Sequence, residues 1–303
     1  MIRIGVDLGG TKIETAALGA GGTVLARERT PSAADYRTVI ESIRGLVTRV
    51  RQAAGGGAAS VGVGHPGSIN PRTGLVRNAN SSHLNGRALD RDLAEALGQS
   101  VRCANDANCF ALSEATDGAG AGAHCVFGVI AGTGVGGGIV IGGRLHEGAG
   151  LIAGEWGHTA LPRPSAEEIP GPQCGCGRKG CVESWCSGPA LARDHERVTG
   201  QAHTADEIAA LAAQGDIQAV ATLSRHADRL ARSLSTIVNI LDPDVIVLGG
   251  GLSNLPGLAA RLENRLVPHV FSDEFRTRVV VNRHGDSSGV RGAAWLWPLE
   301  QTP

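Results

Sequence analysis

The chain has 303 residues, which is long enough for two domains that each bury a hydrophobic core. Its 28 Lys and Arg residues against 29 Asp and Glu residues give a formal net charge of −1, which argues against nucleic acid or an anionic membrane as a partner. No apolar run is long enough to cross a bilayer, the first residues lack the pattern of a signal peptide, and the seven cysteines are an odd number. We therefore expect a cytoplasmic protein with reduced thiols.

The first part of the chain is predicted to fold as an α/β domain that opens with an antiparallel meander. Strands at 2–8 and 13–18 flank a tight turn rich in glycine. Apolar residues at helical spacing predict a helix over 36–53. The remaining predicted elements are strands at 23–29, 60–64 and 100–104, a polar turn at 65–68, and helices at 88–97 and 105–117.

The second part of the chain repeats the opening pattern after a Gly/Ala stretch at 118–123. Residues 127–134 align with residues 4–11, and we interpret the match as a weak internal duplication of a strand-turn-strand unit. The other predicted elements are a hairpin arm at 136–141, a mostly helical stretch at 187–240, strands at 244–248 and 278–281, and a final helix at 287–297.

The first glycine turn has the composition of a phosphate-binding turn. Gly9 and Gly10 let backbone N–H groups approach phosphate oxygens, and Thr11 and Lys12 add donors. Asp7, at the end of the strand, is placed to hold Mg²⁺ through water. The turn is not a Walker P-loop, and an ordinary glycine turn beside an aspartate is the alternative.

Two more glycine-rich turns follow strands in the second part. Gly132, Thr133 and Gly134 begin a G-x-G-x-x-G match, but a strand follows where a dinucleotide site needs a helix, so we exclude NAD. This turn is predicted to bind phosphate as well, and Gly249 and Gly250 supply a third backbone-lined turn for the nucleoside. Three such turns at three strand ends are more specific than any one of them.

Asp106 is the candidate catalytic residue. A carboxylate at a strand end can take a proton from a hydroxyl while that oxygen attacks phosphorus. Helix capping by Asn105 and Asp106 is the alternative, and position alone favours it, but the glycine turns favour catalysis. Polar residues that precede this helix, Asn78, Asn80 and Asn85, are candidates for sugar hydroxyls or for turn formation.

A short region carries three thiols, one imidazole and two carboxylates. Cys174, Cys176 and Cys181 can close round one soft divalent ion, and His158 can supply the fourth ligand of a structural zinc site. The alternative is three reduced thiols in a flexible loop. Zinc would also fix the carboxylates that flank the ligands, Glu155 and Glu183, which we expect to hold a polar substrate.

These motifs together resemble the ROK family of sugar kinases, over essentially the whole chain. The stretches that carry the resemblance are 7–12, 105–106, 132–138, 155–158, 174–183 and 247–251. Within the family the chain looks most like bacterial fructokinases of the mannofructokinase type, through residues 65–71, 78–81, 84–86, 239–244 and 285–295. Residues 105–114 and 174–177 also look like bacterial N-acetylglucosamine kinases.

The resemblance implies ATP-dependent phosphorylation of a hexose at its 6-hydroxyl, with D-fructose first and mannose, glucose or N-acetylglucosamine as alternatives. It implies Asp106 as the general base. It implies sugar contacts by Gly67, Asn80, Asn105, Asp106, Glu155, His158 and Glu183. It implies ATP and Mg²⁺ contacts by Asp7, Gly9, Gly10, Thr11, Lys12, Gly132, Thr133, Gly134, Gly249 and Gly250, and structural zinc on His158, Cys174, Cys176 and Cys181. Trp156 and His65 depart from the family pattern near the expected sugar pocket.

The fold implied is two-domain α/β, of the actin/hexokinase/Hsp70-like ATPase type with ribonuclease H-like halves. We expect an N-terminal domain over 1–118, a C-terminal domain with the zinc insertion over 119–286, and a final helix at about 287–303 that packs back on the first domain. A homodimer is the expected assembly, and hexose and ATP are the expected ligands.

The sequence argues against two other classes of function, a transcriptional regulator and a zinc-dependent hydrolase. ROK relatives include sugar-responsive transcriptional regulators, but these need an N-terminal helix-turn-helix, and here the first strand begins at Ile2. A zinc-dependent hydrolase needs an open coordination position for water, which three cysteines and a histidine do not leave.

Overall fold

The computed structural model describes residues 2–297, which form two compact units. Residues 2–122, 138–153 and 283–297 form the first unit, and residues 123–137 and 154–282 form the second. The sequence predicted the stretch 138–153 as part of the second domain, whereas by contacts it belongs to the first unit. The predicted domains, 1–118 and 119–286 with its zinc insertion, stay a prediction.

Two five-stranded sheets with matching strand order form the framework. The first has the order β3-β2-β1-β4-β7 and the second the order β10-β9-β8-β11-β12. The matching order agrees with the predicted internal duplication. A two-stranded hairpin, β5-β6, is separate. The strands are β1 Ile2–Leu8, β2 Lys12–Leu18, β3 Val24–Pro31, β4 Ala59–His65, β5 Ser68–Ile69, β6 Val76–Arg77, β7 Val101–Asn105, β8 Cys125–Ala131, β9 Val135–Ile141, β10 Arg144–Leu145, β11 Val245–Gly249 and β12 Arg278–Val281.

The helices begin and end at recognisable signals. Asp35 caps the first helix by accepting from Thr38 N at 2.9 Å, and Gly98, at φ 63°, ends the second. Thr204 and Glu207 form a capping box at the sixth. The helices are α1 Tyr36–Ala53, α2 Leu89–Leu97, α3 Asp106–Thr116, α4 Val182–Cys186, α5 Gly188–Thr199, α6 Ala205–Ala213, α7 Ile217–Leu241, α8 Leu258–Leu266 and α9 Ser288–Trp295.

Most predicted elements of the first unit are confirmed. The meander pairs antiparallel, with Asp7 opposite Glu14, and β1, β4 and β7 pair in parallel. The predicted helix over 36–53 has those bounds. The β5-β6 hairpin, between the predicted turn at 65–68 and the predicted helix at 88–97, has no counterpart among the predicted elements.

Glycines let α9 lie directly on the first sheet. A Cβ at Gly5 would lie 1.9 Å from Val290 O, and one at Gly62 would lie 1.9 Å from Ala293 O. Any larger residue would push the helix away. The part of the predicted final helix beyond residue 297 lies outside the described residues.

The second unit combines a parallel β8-β11-β12 arrangement with helices α4 to α8. β11 is fully buried and pairs with β8 and β12 on either side, as expected for a continuous apolar run. The long helix α7 packs against α4, α5, α6 and α8, and residues 229–235 of it are all buried. Within residues 2–297, no helix is long and apolar enough to cross a bilayer.

Candidate functional site

Asp7 and Asp106 approach each other in the first unit. Asp7 is near the end of β1, and Asp106 is the first residue of α3, after β7. Burial, then the charges of Asp106 and Glu14, raise the pKa of Asp7 from 3.8 to about 6, although Lys12 opposes the shift. Three carboxylates and one ammonium thus share an electrostatic environment, which suits the binding of Mg²⁺ and phosphate.

Asn105 connects the start of α3 to the turn after β4. Its Oδ1 accepts from Ala107 N at 2.9 Å, and its Nδ2 donates to Gly67 O at 3.0 Å. Asp106 Oδ1 also accepts from Ala107 N, at 2.8 Å. Capping and site formation therefore coexist, because Asn105 caps α3 and also bonds the turn that contains Gly67. The predicted sugar residues Gly67, Asn105 and Asp106 are brought together.

The turn that contains Gly67 requires glycine. Gly67 has φ 74°, and a Cβ there would lie 2.3 Å from Arg77 O. In the following loop, Asn85 bonds the backbone of Ala79 in both directions at 2.9 Å, so its side chain is structural. Asn80 is exposed and keeps its predicted role as a sugar ligand.

His65 and Trp156, which depart from the family pattern, are both buried. His65 is 1% exposed and its Nδ1 lies 2.9 Å from Pro66 O, so this nitrogen donates to the carbonyl. Trp156 is 4% exposed and donates from Nε1 to Gly136 O at 2.9 Å. Its ring meets Phe127 edge-on at 5.9 Å. Trp156 therefore anchors the turn that carries Glu155 and His158.

The first glycine turn leaves its central residues exposed. Gly9 N donates to Lys12 O at 3.0 Å and closes the turn, while Gly10 and Thr11 are exposed. Lys12 Nζ lies 3.9 Å from Glu14 Oε2. An exposed turn with backbone N–H groups and an ammonium is able to bind phosphate oxygens.

Glu14 is a residue that the sequence analysis missed. It is fully buried, and it accepts from Arg27 Nε at 2.6 Å and from Arg29 Nε at 2.7 Å. The strand pairing of Glu14 with both Asp7 and Arg29 could have revealed the cluster, since cross-strand partners share one face of a sheet. Glu14 lies near Lys12 and adds its negative charge to the field at Asp7.

Two glycine turns lie side by side in the second unit. Gly132 N donates to Gly134 O at 2.9 Å, and Gly188 N, at the start of α5, donates to Gly132 O at 2.7 Å. Gly250, at φ 77°, passes so close to β8 that a Cβ would lie 2.4 Å from Ala131 O. The predicted nucleotide residues 132–134 and 249–250 therefore form one backbone-lined surface, on which Thr133 is exposed.

Glu183 connects this surface to the cysteine cluster. Its Oε2 accepts from Val135 N at 3.0 Å, and its Oε1 lies 3.7 Å from Cys174 Sγ. A Cβ at Gly134 would lie 2.7 Å from Glu183 Oε2, so a larger residue there would displace this carboxylate. Glu155 is exposed, and its predicted role as a sugar ligand stays a prediction.

The predicted zinc ligands converge. The ligand atoms of His158, Cys174, Cys176 and Cys181 all lie within 4.8 Å of one another. Cys174 Sγ is 3.6 Å from His158 Nδ1, and Cys176 Sγ is 3.6 Å from Cys181 Sγ. Ligands of a tetrahedral zinc are about 3.6–3.8 Å apart, given bonds of ~2.3 Å to sulfur and ~2.0 Å to nitrogen. The residues present fit a structural zinc ion.

A second missed carboxylate, Glu114, lies near the far end of α3. It is fully buried and accepts from Ala119 N at 2.8 Å, Arg283 N at 3.0 Å and Ser288 Oγ at 2.8 Å. It also accepts from His284 N at 3.3 Å. A glutamate among the apolar and small residues that follow Asn108 in α3 was the available signal. Glu114 ties the helix that begins at Asp106 to the start of α9.

Comparisons with known proteins agree with this geometry. The model of the ROK family matches residues 3–300. The chain is 40% identical over 297 residues to an N-acetyl-D-glucosamine kinase of Escherichia coli O9:H4, covering 96% of this chain and 98% of that protein. Among solved structures, it is similar to a ROK hexokinase of Thermus thermophilus, with TM-score 0.86 and 33% identity over 99% of both chains.

A second solved structure is a ROK glucokinase of Streptomyces griseus in complex with glucose and AMPPNP. It has TM-score 0.79 and 28% identity, and covers 97% of this chain and 98% of that one. The predicted α/β fold of the actin/hexokinase type is thereby confirmed.

Proposed function

The chain belongs to the ROK family and is a sugar kinase that acts on a hexose, and we propose that this hexose is N-acetyl-D-glucosamine, phosphorylated at its 6-hydroxyl. The observation that carries the proposal is the 40% identity to an N-acetyl-D-glucosamine kinase over 96% of the chain. The sequence analysis placed D-fructose first on short stretches. That prediction is not confirmed, and the full-length similarity favours the alternative.

The proposed reaction proceeds by direct transfer of the γ-phosphoryl group. Asp106 takes the proton of the sugar 6-hydroxyl as that oxygen bonds to the γ-phosphorus of ATP. The bond from the γ-phosphorus to the β,γ-bridging oxygen breaks, and ADP leaves with that electron pair. Two observations support Asp106 as the base. It starts a helix beside Asn105 and Gly67, and its charge contributes to the raised pKa of Asp7.

Asp7 is proposed to hold Mg²⁺, which would neutralise charge on the phosphates of bound ATP. With a pKa of about 6, its carboxyl is mostly ionised at pH 7 and above. The exposed turn from Gly9 to Lys12 and the backbone surface at 132–134 and 249–250 are proposed to bind the nucleotide. Lys12 Nζ also lies 3.9 Å from Glu14 Oε2, a weak electrostatic contact.

His158 and the three cysteines are proposed to hold a structural zinc ion. His158 Nδ1 faces Cys174, so the opposite ring nitrogen, Nε2, is directed away from the thiols and is available to a sugar hydroxyl. Zinc would fix the short segment between Glu155 and His158, and Val135 N donates to Glu183 Oε2 at 3.0 Å. Sugar contacts by Glu155, His158 and Glu183 belong to this proposal. A homodimer in the cytoplasm also stays a prediction.

The test is the ratio of kcat/KM across a panel of sugars with Mg-ATP. The panel contains N-acetylglucosamine, glucose, mannose and fructose, and product phosphorylation at the 6-hydroxyl is verified by phosphorus NMR. We expect N-acetylglucosamine to exceed the others by about tenfold or more, since one lost hydrogen-bonding group costs ~1–3 kcal/mol. A preference for fructose would reject the proposed sugar and restore the sequence-based prediction.

A further inference from the structure

A cavity of about 310 Å³ in the second unit has no role in the proposed phosphoryl transfer. Four segments line it: the turn before residue 169, α5, α7 and α8. The volume is at the small end of the range for small-molecule sites, about 300–1,000 Å³. Its lining residues are Ser165, Glu167, Glu168, Arg197, Ser224, Arg225, Asp228, Arg229 and Arg265.

Two buried carboxylates organise the arginines of this cavity. Asp194, whose side chain is 4% exposed, lies within 3.2 Å of nitrogens on Arg197, Arg225 and Arg229. Glu168 accepts from Arg229 at 2.8 Å and lies 3.0 Å from Arg232 Nη2. Burial alone would raise the pKa of Glu168, but Arg232 and Arg229 lower it to about 2. The acids are therefore charged, and the arginines are held rigidly.

Arg265 is different, because it has no acidic partner among residues 2–297. Its Nη2 donates to Ser224 Oγ at 2.8 Å, across from α8 to α7. A guanidinium carries about five N–H donors, so most of those on Arg265 are unused. The lining residues together with the adjacent Arg232 and Asp194 comprise five arginines and four carboxylates. One of these carboxylates, Glu167, is exposed to solvent. The cavity therefore has a positive charge that the protein does not neutralise.

The lining offers both halves of the chemistry that a phosphorylated sugar needs. Arg265, Arg225 and Ser224 are donors for phosphate oxygens, in a planar fork that favours bidentate contacts. Glu167 and Asp228 carry acceptor oxygens for sugar hydroxyls. One oxygen of Asp228, Oδ2, already accepts from Arg232 Nε at 2.9 Å. A neutral sugar would leave the arginines of the cavity without an anion to bind. An inorganic anion would leave the carboxylates of the cavity without hydroxyl donors.

We propose that this cavity binds a hexose phosphate, with Arg265, Arg225 and Ser224 on the phosphate and with Glu167 and Asp228 on the hydroxyls. The choice of hexose phosphate rests on the proposed function, because such a compound is the product of that reaction. The inference that the cavity binds an anion does not depend on the proposed function. The site gives the product a place to bind besides the residues that carry out transfer.

The test is calorimetric titration of N-acetylglucosamine 6-phosphate into the full chain, saturated beforehand with N-acetylglucosamine and a non-hydrolysable ATP analogue. Saturation prevents the product from binding at the transfer site. We expect binding that Arg265→Gln weakens by about tenfold or more, with Arg265→Lys intermediate, because the glutamine side chain has no charge for hydrogen bonds to the phosphate. The matched control is Arg278→Gln, an exposed arginine outside the cavity, which is expected to leave the affinity unchanged.

Inorganic phosphate serves as the second probe and separates the sources of the anion. We expect it to bind more weakly than the sugar phosphate, with the same dependence on Arg265. Equal affinity for the two probes would mean an adventitious ion only, and would overturn the proposal. So would a lack of binding, or an Arg265→Gln variant that binds like the wild type. If that variant does not fold, Ser224→Ala removes its partner and must also weaken binding.

The titration needs no turnover, so it is independent of the sugar panel. A chain inactive on every sugar would reject the proposed function, whereas Arg265-dependent binding of the sugar phosphate would still support the site.

Discussion

Replacing Asp7 by Asn is expected to stabilise the protein while it impairs catalysis. The folded protein raises the pKa of this carboxyl from 3.8 to about 6, chiefly by burial and then by the charges of Asp106 and Glu14. The folded state therefore binds the proton more tightly than the unfolded chain. The contribution of Asp7 to the free energy of unfolding is therefore at its maximum below pH 3.8, and it is lost as the pH rises through about 6.

The size of the effect follows from the two pKa values. At pH 8 the ionised Asp7 costs up to about 3 kcal/mol, and at pH 5 the cost is only about half of that, because most folded molecules are still protonated. Asparagine does not titrate. The gain in unfolding free energy for Asp7→Asn should therefore be larger at pH 8 than at pH 5, by about 1.4 kcal/mol.

The assay is equilibrium urea denaturation at both pH values, without Mg²⁺ or nucleotide. Asp206→Asn, an exposed carboxylate on α6, is the matched control and should show no such difference. The same Asp7 variant should need more Mg²⁺ for activity. A gain in stability that is equal at pH 5 and pH 8, or a gain that is larger at pH 5, would refute the electrostatic account of Asp7.

Three further predictions concern the metal cluster, the end of α3 and the turn after β4. Purified protein should contain about one zinc per chain, and Cys181→Ser should lose it together with activity; metal-free active protein would contradict the zinc proposal. Glu114→Gln should lower the free energy of unfolding by about 3 kcal/mol in urea denaturation, because buried backbone N–H groups lose their acceptor; a loss below about 1 kcal/mol would contradict this role. Gly67→Ala should raise the KM for sugar and destabilise the fold, because its Cβ would collide with Arg77 O; unchanged kinetics would argue against this turn as part of the sugar site.

The sequence predicted the framework because local signals were strong. The helix over 36–53 has a capping aspartate and a regular apolar face, and its predicted bounds agree with the structure. The four candidate zinc ligands were also identified, since thiols and imidazole at such short spacing have few other uses.

The features that the sequence did not reveal depend on contacts between segments that are far apart along the chain. Glu114 is held by residues about 170 positions away, and α3 is buried on several faces, so no periodic pattern distinguishes its role. Residues 138–153 begin inside strand β9, whose first residues belong to the second unit, and only their contacts assign them to the first. The arginine cavity joins α5, α7 and α8, whose relative positions cannot be deduced from composition.

The central claim is that Asp106 is the base of an ATP-dependent sugar kinase, and the most direct test is sugar-dependent ADP release by the wild type and by Asp106→Asn. With N-acetylglucosamine and Mg-ATP, the account predicts turnover in the wild type and a fall in kcat of about 10²–10⁴-fold in the variant, with the Asp206→Asn control unchanged. A folded Asp106→Asn protein with wild-type kcat, or a wild type without sugar-dependent ADP release, would contradict the account.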